Sequence, residues 1–552
     1  MKRLMSMAVA CALAATGSAA LGAQPATKTT VRSPRPRVAD ALERSLERGE
    51  ITEAEYALQR ALALLHPSGV DARFADVPAP DPRAATTILR DLGARLDELP
   101  PSQRRRAEAL LARPTDGAGD DFGDGYTADP SDVRNSCTAH ACVHWVESTE
   151  DAPAPKDGDG DTIPNWVETT KRVVEHVWTT EVGRYNFRAP KSDASSTNHG
   201  PNDKLDVYLA DIGNFGLFGY VATDDPNASR ASYKYWDLSA YMVVDNDFAA
   251  NQFFGTSGLA ALRVTVAHEF FHAVQFAYDA SEDIWFLEGT ATWMEDQVYD
   301  RINDNLNYLA GSALRFPGVP LDYFSQGFQY GNWIFWRLLS ENGCRSKSKP
   351  GIVRKVWERA DGARGGPDLY SLKAVARTLK KEGSSLRKVF ANFGVRNAVP
   401  KKCYEEGRSY ARRGSVPIVK RFVLKRFKKR TGRRTVKQEH LTNQYVSFEP
   451  GTSLGRGARL RIAVDLPKQA RGPYASVLVK FRSGRIHVRP VPLNKGGDGV
   501  RRVTFDRGKI KRVMLVLTNA SARYSCWKRR SWSCRGVPRD DNRSYSFSAR
   551  VT

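Results

Sequence analysis

The sequence predicts an α+β protein in which strands precede helices in the middle of the chain, with a helical region before that unit and an all-β sandwich after it. Three observations carry the prediction. Between residues 38 and 112 apolar residues recur at helical spacing and strand signals are lacking. From about Ala141 runs rich in β-branched and aromatic residues come first, and helical runs follow them. After about Arg408 helical periodicity gives way to short alternating runs separated by turn residues. At 552 residues with 41% hydrophobic content the chain is too long for one core and apolar enough to build several.

The N-terminus reads as a secretory signal over 1–23: Lys2 and Arg3 precede an uncharged Ala-rich run ending in small residues near Ala19 to Ala23. No later stretch is long and apolar enough to span a bilayer, so an exported, secreted protein is expected. A lipid anchor would have to use Cys11, before which almost no apolar run exists. Residues 24–125 form the helical N-terminal region. There Val38, Leu42 and Leu46 recur at four-residue spacing, and ITEAEYALQRALALLHP stops at a proline. Lying between the signal and a Gly/Asp/Pro-rich linker at 114–132, this region reads either as a removable propeptide or as a permanent appendage. It holds no cysteine, so a thiolate cannot block a metal from it.

Residues 126–408 carry the strands CVHWVES, KLDVYLA and AYMVVD. A helix is expected from Asn165 to Glu181, with Trp166, Val173, Val174, Val177 and Trp178 on its apolar side. Helices follow near 257–277, 285–299 and 330–343, and 352–396 is mostly helical. Residues 409–552 hold strand candidates in VPIVKRFVLKRF, QYVSFEP, LRIAVDLP, ASVLVKF, IHVRPVP, RVTFD, KRVMLVLTN and SYSFSARVT, and no catalytic constellation. Residues 401–552 have 39 Lys+Arg against 9 Asp+Glu, a formal +30, which leaves −7 on residues 1–400. Such a basic lobe suits anionic cell-envelope polymers, or simply a solvated surface; it gives no sign of specific nucleic-acid recognition. Apart from Cys11, the cysteines fall into the pairs Cys137/Cys142, Cys344/Cys403 and Cys526/Cys534, as expected of disulfides in an exported protein.

The chemistry concentrates in LRVTVAHEFFHAVQFAYD. His268 and His272 stand four apart in a strongly helical stretch, so both imidazoles share one face about a turn apart and can close on one zinc ion. Glu269 follows the first His and projects beside the metal position, where a carboxylate can take a proton from water and pass it to a leaving amine. A catalytic zinc site normally has three protein ligands and an open position. No third His follows closely. Glu288, sixteen residues beyond His272 in WFLEGTATWMED, opens a second helix after the polar turn DASED and can be aimed at the same ion; Glu295 and Asp296 are rivals for that place. Tyr330 and Tyr323 are candidates to donate to a developing oxyanion, with a core or groove role as the alternative.

At these residues the chain resembles the gluzincin (thermolysin-like) metallopeptidases, which carry HExxH and a Glu on the next helix. More closely, it is similar to a family of secreted bacterial metallopeptidases through HEFFHAVQFAYD, WFLEGTATWMED, DGDGDTIPNWVE, KLDVYLAD, FGYVATDD and YGNWIFWRLL, over about residues 141–340. The resemblance implies a zincin-like fold for the catalytic domain and hydrolysis of peptide bonds by zinc-activated water. It makes His268, His272 and Glu288 the zinc ligands and Glu269 the general base. It also implies that AYMVVD is the edge strand along which a peptide lies extended. In the thermolysin-like pattern an acid one turn after the ligand Glu supports a His; here that residue is Thr292.

A second metal position is expected in DGDGDTIPNWVE, where Asp157, Asp159, Asp161, Asn165 and Glu168 hold positions one, three, five, nine and twelve of a calcium loop. The glycine usual at position six is Thr162, and Pro164 stands at position eight; the alternative is an acidic turn capping the next helix. The competing reading for the whole chain is a non-catalytic surface or polymer-binding protein with a structural metal. An intact HExxH argues against it, since a structural site has no use for the base.

Overall fold

The structure, a computed structural model, describes residues 40–552 apart from 117–125, 127–128, 231, 254, 342 and 529–531. The signal expected at 1–23, with Cys11, and part of the linker expected at 114–132 lie outside the described residues. The described chain is a mixed α/β protein with a helical N-terminal region, an α/β middle and C-terminal sheets.

The N-terminal region begins with α1 (Ala41–Arg48) and α2 (Glu53–Leu65), each opened by a reciprocal cap: Asp40 with Glu43, and Thr52 with Glu55. Two first-turn N–H groups are thereby satisfied at each helix start. α2 stops just before Pro67, as its sequence predicts. α3 (Ala85–Gly93) and α4 (Pro101–Leu110) follow. Leu58, Leu62, Ile88, Leu89, Leu92 and Leu110 of these helices share a buried cluster with Tyr208, Tyr220, Tyr241 and Val243 of the central sheet. The region is therefore packed onto one face of that sheet and is no loose appendage.

The middle contains β1 (Arg134–Cys137), β2 (Ala141–Trp145), α5 (Asn165–Trp178), β3 (Leu205–Ala210), β4 (Gly219–Ala222) and β5 (Tyr241–Asp245). The sheet order is β1-β2-β3-β5-β4. β2, β3 and β5 run parallel, while β1 and β4 are antiparallel to their neighbours. This corrects the expected edge. AYMVVD forms β5, which lies between β3 and β4 with both sides paired and has no backbone free for a peptide. The edges are β1 and β4; β4, the edge beside α6, comes from the FGYVATDD segment, whose four residues are too short for alternation to reveal.

The opposite face of the sheet is covered by α5, which runs on into a π-helical turn at Thr179–Arg184, and by the 22-residue α6 (Gly258–Asp279). α7 (Ile284–Val298) returns against α6. The helix expected at 330–343 is two pieces, α8 (Phe328–Gly331) and α9 (Trp333–Ser340), parted at Asn332, whose side chain donates to the Leu321 carbonyl at 2.6 Å. α10 (Gly351–Ala360), α11 (Leu372–Lys381), α12 (Leu386–Ala398), α13 (Pro400–Cys403) and α14 (Gly407–Arg413) complete this part.

Beyond it come β6 (Lys420–Leu424), β7 (Arg434–Gln438), β8 (Thr442–Pro450), β9 (Arg459–Asp465), β10 (Pro473–Phe481), β11 (Ile486–Pro490), β12 (Asp498–Thr504), β13 (Ile510–Asn519), β14 (Tyr524–Ser525), β15 (Val537–Pro538) and β16 (Arg543–Val551). A five-stranded sheet, β11-β10-β13-β8-β6, and a four-stranded sheet, β12-β9-β16-β7, share one core, with Val446, Phe448, Val477 and Leu515 from the first and Ile462, Val464 and Phe547 from the second. β7 escapes the sequence reading because its RTVKQ sits inside a basic run. On its outer side the first sheet packs Tyr445, Leu478, Met514 and Val516 against Val395 of α12. The three disulfides are Cys137–Cys142, Cys344–Cys403 and Cys526–Cys534, the pairs the sequence suggests. Among the described residues no helix is long and apolar enough to cross a membrane.

Candidate metal centre

α6 is buried along almost its whole length, so its few polar side chains must be answered locally. His268 and His272 lie one turn apart with ring centroids 4.8 Å from each other. Glu288, near the start of α7, comes between them: its Oε2 is 3.3 Å from His268 Nε2 and 3.5 Å from His272 Nε2. The three residues offer ligand atoms that all lie within 4.8 Å of one another. Glu288 is fully buried.

The other ring nitrogens fix the direction in which these imidazoles point. His268 Nδ1 lies 2.7 Å from Glu295 Oε1, and His272 Nδ1 lies 2.7 Å from Gln275 Oε1. The Gln275 amide is itself oriented, because its Nε2 donates to the Leu287 carbonyl and to Thr290 Oγ1, both at 3.0 Å. With Nδ1–H given to these acceptors, both Nε2 lone pairs are turned toward the Glu288 carboxylate. A lone pair facing a carboxylate is unfavourable unless a proton or a metal ion stands between them. His272 Nε2 and Glu288 Oε1 meet no hydrogen-bond partner in the protein. Two imidazoles, one carboxylate and these orphaned buried atoms fit zinc in donor type and number.

The electrostatics agree. Burial opposes a charge on Glu288, but the imidazoles of His272 and His268 hold its carboxyl at about 2. Burial likewise opposes a charge on His268, yet Glu288, Glu295 and Glu269 around it raise its pKa well above the ordinary value. A metal ion between Glu288 and the two imidazoles would take the place of the proton that His268 binds there. Glu295 is pushed up to about 8 by burial, against the pull of His268.

Glu269 projects from α6 toward the β4 edge and is also buried. β4 passes so close that a Cβ on Gly219 would stand 2.8 Å from Thr265 Cγ2, 3.1 Å from Glu269 Cγ and 3.1 Å from the Val243 carbonyl, so only glycine fits there. Glu269 Oε2 accepts a hydrogen bond from Thr86 Oγ1 at 3.0 Å, and Thr86 Oγ1 accepts from Val221 N of β4 at 2.9 Å. Tyr330 lies beside the His268 ring, with centroids 6.3 Å apart, and its hydroxyl donates to the Arg83 carbonyl at 2.6 Å. Tyr323 packs instead on Phe328 and Trp532.

The rival ligands take other places. Glu295 serves His268 through Nδ1, the support that Thr292 cannot give. Asp296 is held by Arg337, which also donates to Glu341 at 2.8 Å. Sequence reasoning missed Gln275, although its spacing of three from His272 on one helix could have shown it. It also missed Glu181, in the π-helical turn: this carboxyl is fully buried near His268, neither oxygen meets a protein donor, and burial raises its pKa well above the ordinary value. Thr86, 183 residues from Glu269, carries no local signal at all.

In the acidic loop, Asp157, Asp159 and Asp161 come together, with ligand atoms within 4.8 Å of one another. Asp157 accepts from the N–H groups of Gly160 (2.8 Å) and Thr162 (2.9 Å). Thr162 takes the left-handed conformation, φ 74°, in the place where glycine is usual. Asn165 turns its Oδ1 to Gly158 N at 2.9 Å, and Glu168 stands outside the trio, 3.7 Å from Arg172.

No family model matches the chain, and neither does any curated protein. Among solved structures it is similar to a family GH115 4-O-methyl-α-glucuronidase, BtGH115A, with specificity for decorated arabinogalactans, at 9% identity and a TM-score of 0.14. The match covers 53% of this chain and 41% of that one, a likeness too slight to bear on fold or activity.

Proposed function

We propose that the protein is a secreted zinc metallopeptidase with a zincin-like catalytic unit and a basic β-sandwich as accessory module. The observation that carries this is the convergence of His268 Nε2, His272 Nε2 and Glu288 on one point, with each histidine held by an acceptor at Nδ1 and Glu269 alongside. His268, His272 and Glu288 would hold the zinc; bound there, it supplies a Lewis acid for a carbonyl oxygen and lowers the pKa of water. Glu269 accepts the proton and returns it to the leaving amine. Tyr330 donates from the far side of the site, and the free edge of β4 pairs with an extended chain. The choice of a peptide over another acyl substrate rests on the resemblance of the HEFFH and WFLEGTATWMED segments to metallopeptidases. Export is supported by the signal-like N-terminus and by three disulfides, which persist in oxidising compartments. The basic module suits anionic envelope polymers.

The two glutamates separate this reading from a structural metal. Glu288→Ala should lose zinc and activity together. Glu269→Gln should keep zinc near one per chain while turnover on a fluorogenic peptide falls ~10²–10⁴-fold. Glu295→Ala should keep the ion with roughly 10–100-fold weaker affinity. Zinc stoichiometry beside peptidase rate decides: full activity in Glu269→Gln, or zinc retained by Glu288→Ala, overturns the assignment.

A further inference from the structure

Three groups that the proposed peptidase would turn to its substrate are engaged by one stretch of the N-terminal region. The Glu269 carboxylate takes the Thr86 hydroxyl. The Val221 N–H on the free edge of the sheet, the donor an extended substrate would use, gives its hydrogen bond to the same hydroxyl. The Tyr330 hydroxyl gives its own to the Arg83 carbonyl, in the manner of a donor to a scissile carbonyl. The Arg83 guanidinium also lies over the rings of Tyr308 and Tyr330, 5.6 and 5.2 Å from their centroids. Gly216 and Gly327 lie next to this stretch: a Cβ on Gly216 would stand 3.5 Å from Pro82, and one on Gly327 3.7 Å from Arg83. The seat is held from behind by Arg90, fully buried, donating to the carbonyls of Ala280 (3.2 Å) and Glu282 (2.8 Å) in the α6–α7 turn. Arg113, also fully buried, bonds Asp193, Asp206 and Asp224.

From this we propose that residues 81–90, helical and not extended, are a built-in inhibitor that covers the general base and the β4 edge through the Thr86 hydroxyl and the Arg83 carbonyl, and that the helical N-terminal region must leave its seat before the site can act. The inference rests on the peptidase reading for its meaning and on the geometry for its substance. A hydroxyl shared between the general base and the edge-strand amide, with a backbone carbonyl on the opposite donor, takes the groups that a second chain would have to use. Binding of substrate and seating of α3 are therefore mutually exclusive.

The test uses the full chain, wild type and with Thr86→Leu, which is bulkier and lacks the hydroxyl, beside Thr86→Ser, which keeps it. The first readout needs neither metal nor activity: hydrogen exchange at the Val221 amide. It should be protected in wild type and Thr86→Ser and at least tenfold faster in Thr86→Leu. A wild-type Val221 amide that exchanges like an open edge overturns the proposal without any variant. The second readout is the rate at which phenanthroline strips zinc, expected to rise at least tenfold in Thr86→Leu only. The third is cleavage of a fluorogenic peptide, expected to rise similarly in Thr86→Leu and to vanish when Glu269→Gln is added. Equal cleavage by all three proteins sinks the occlusion and leaves the peptidase standing. Faster exchange and stripping with no hydrolysis in any form leaves the occlusion standing and sinks the peptidase.

Discussion

Two regions cover the central α/β unit, and they hold it by different means. The N-terminal helices reach it through an apolar cluster on the sheet and through hydrogen bonds to Glu269, Tyr330 and the Val221 amide, groups to which the proposed mechanism gives work. The C-terminal module, which also meets the N-terminal helices through Arg535 and Glu53, answers buried carboxylates that lie outside the proposed mechanism. Asp322 takes His440 Nε2 at 2.9 Å, Tyr524 OH at 2.8 Å and Ser533 N at 2.9 Å. Asp283, which precedes α7, takes Ser533 Oγ at 2.8 Å and Cys534 N at 3.1 Å. Contacts of the first kind compete with a ligand. Contacts of the second kind have no competitor, and removing one partner strands a buried charge. The module thus braces the helix that carries Glu288, a role beyond the adhesion its basic charge suggests.

The largest expected effect tests that brace. Asp322→Ala leaves His440 with one carboxylate in a buried site and should cost about 3–5 kcal/mol in urea unfolding. Zinc affinity measured on the folded fraction should barely change; a loss of zinc without a loss of stability would reverse the division of roles. Gln275→Leu probes the region between the two covers. It frees His272 Nδ1 from its acceptor and should weaken zinc binding roughly 10–100-fold, read by competition with a chromogenic chelator, while the unfolding midpoint moves little.

Smaller is the effect of calcium, which belongs to neither cover. Millimolar calcium should raise the thermal midpoint by a few degrees, roughly 2–4 °C for each kcal/mol of linkage. Asp159→Ala should abolish the rise, and a calcium response that survives in it removes the loop at Asp157 from consideration. Smallest is a pH effect confined to the contacts of the C-terminal module. Burial opposes a charge on His440, but Asp322 and Asp541 push its pKa up to about 9. An imidazole that binds its proton more tightly when folded contributes fully below about pH 6.5 and loses that contribution as pH rises through 9. The stability gap between wild type and His440→Gln should therefore be widest near pH 6 and narrow by pH 9.5; a gap that widens with pH contradicts the ion pairs.

What the sequence made legible was local. Spacing of four put His268 and His272 on one face, and a polar turn between two helical runs brought Glu288 back to them within one hairpin. The cysteine pairs 137/142 and 526/534 are close in sequence and closed as such. What stayed hidden depends on distant chain. The edge of the sheet fell to β4 and not to β5 because strand order is set by crossovers that alternation does not encode. Glu295 was weighed as a ligand because spacing does not say which nitrogen of His268 a carboxylate will meet. Thr86 comes from a different region altogether, and only the packing of α3 on the sheet brings it to Glu269.

The bond from Ser533 to Asp283 spans 250 residues, and this sets an order of events during synthesis. While the chain is still being synthesised, α6 and α7 precede their C-terminal partners, which leaves Asp283 and Asp322 unanswered. Only when the loop closed by Cys526–Cys534 arrives, almost at the end of the polypeptide, does the start of α7 acquire its last partners. The inhibitor segment, by contrast, is among the first residues to emerge. A chain assembled in this order has Thr86 available to Glu269 before the start of α7 has gained its last partners.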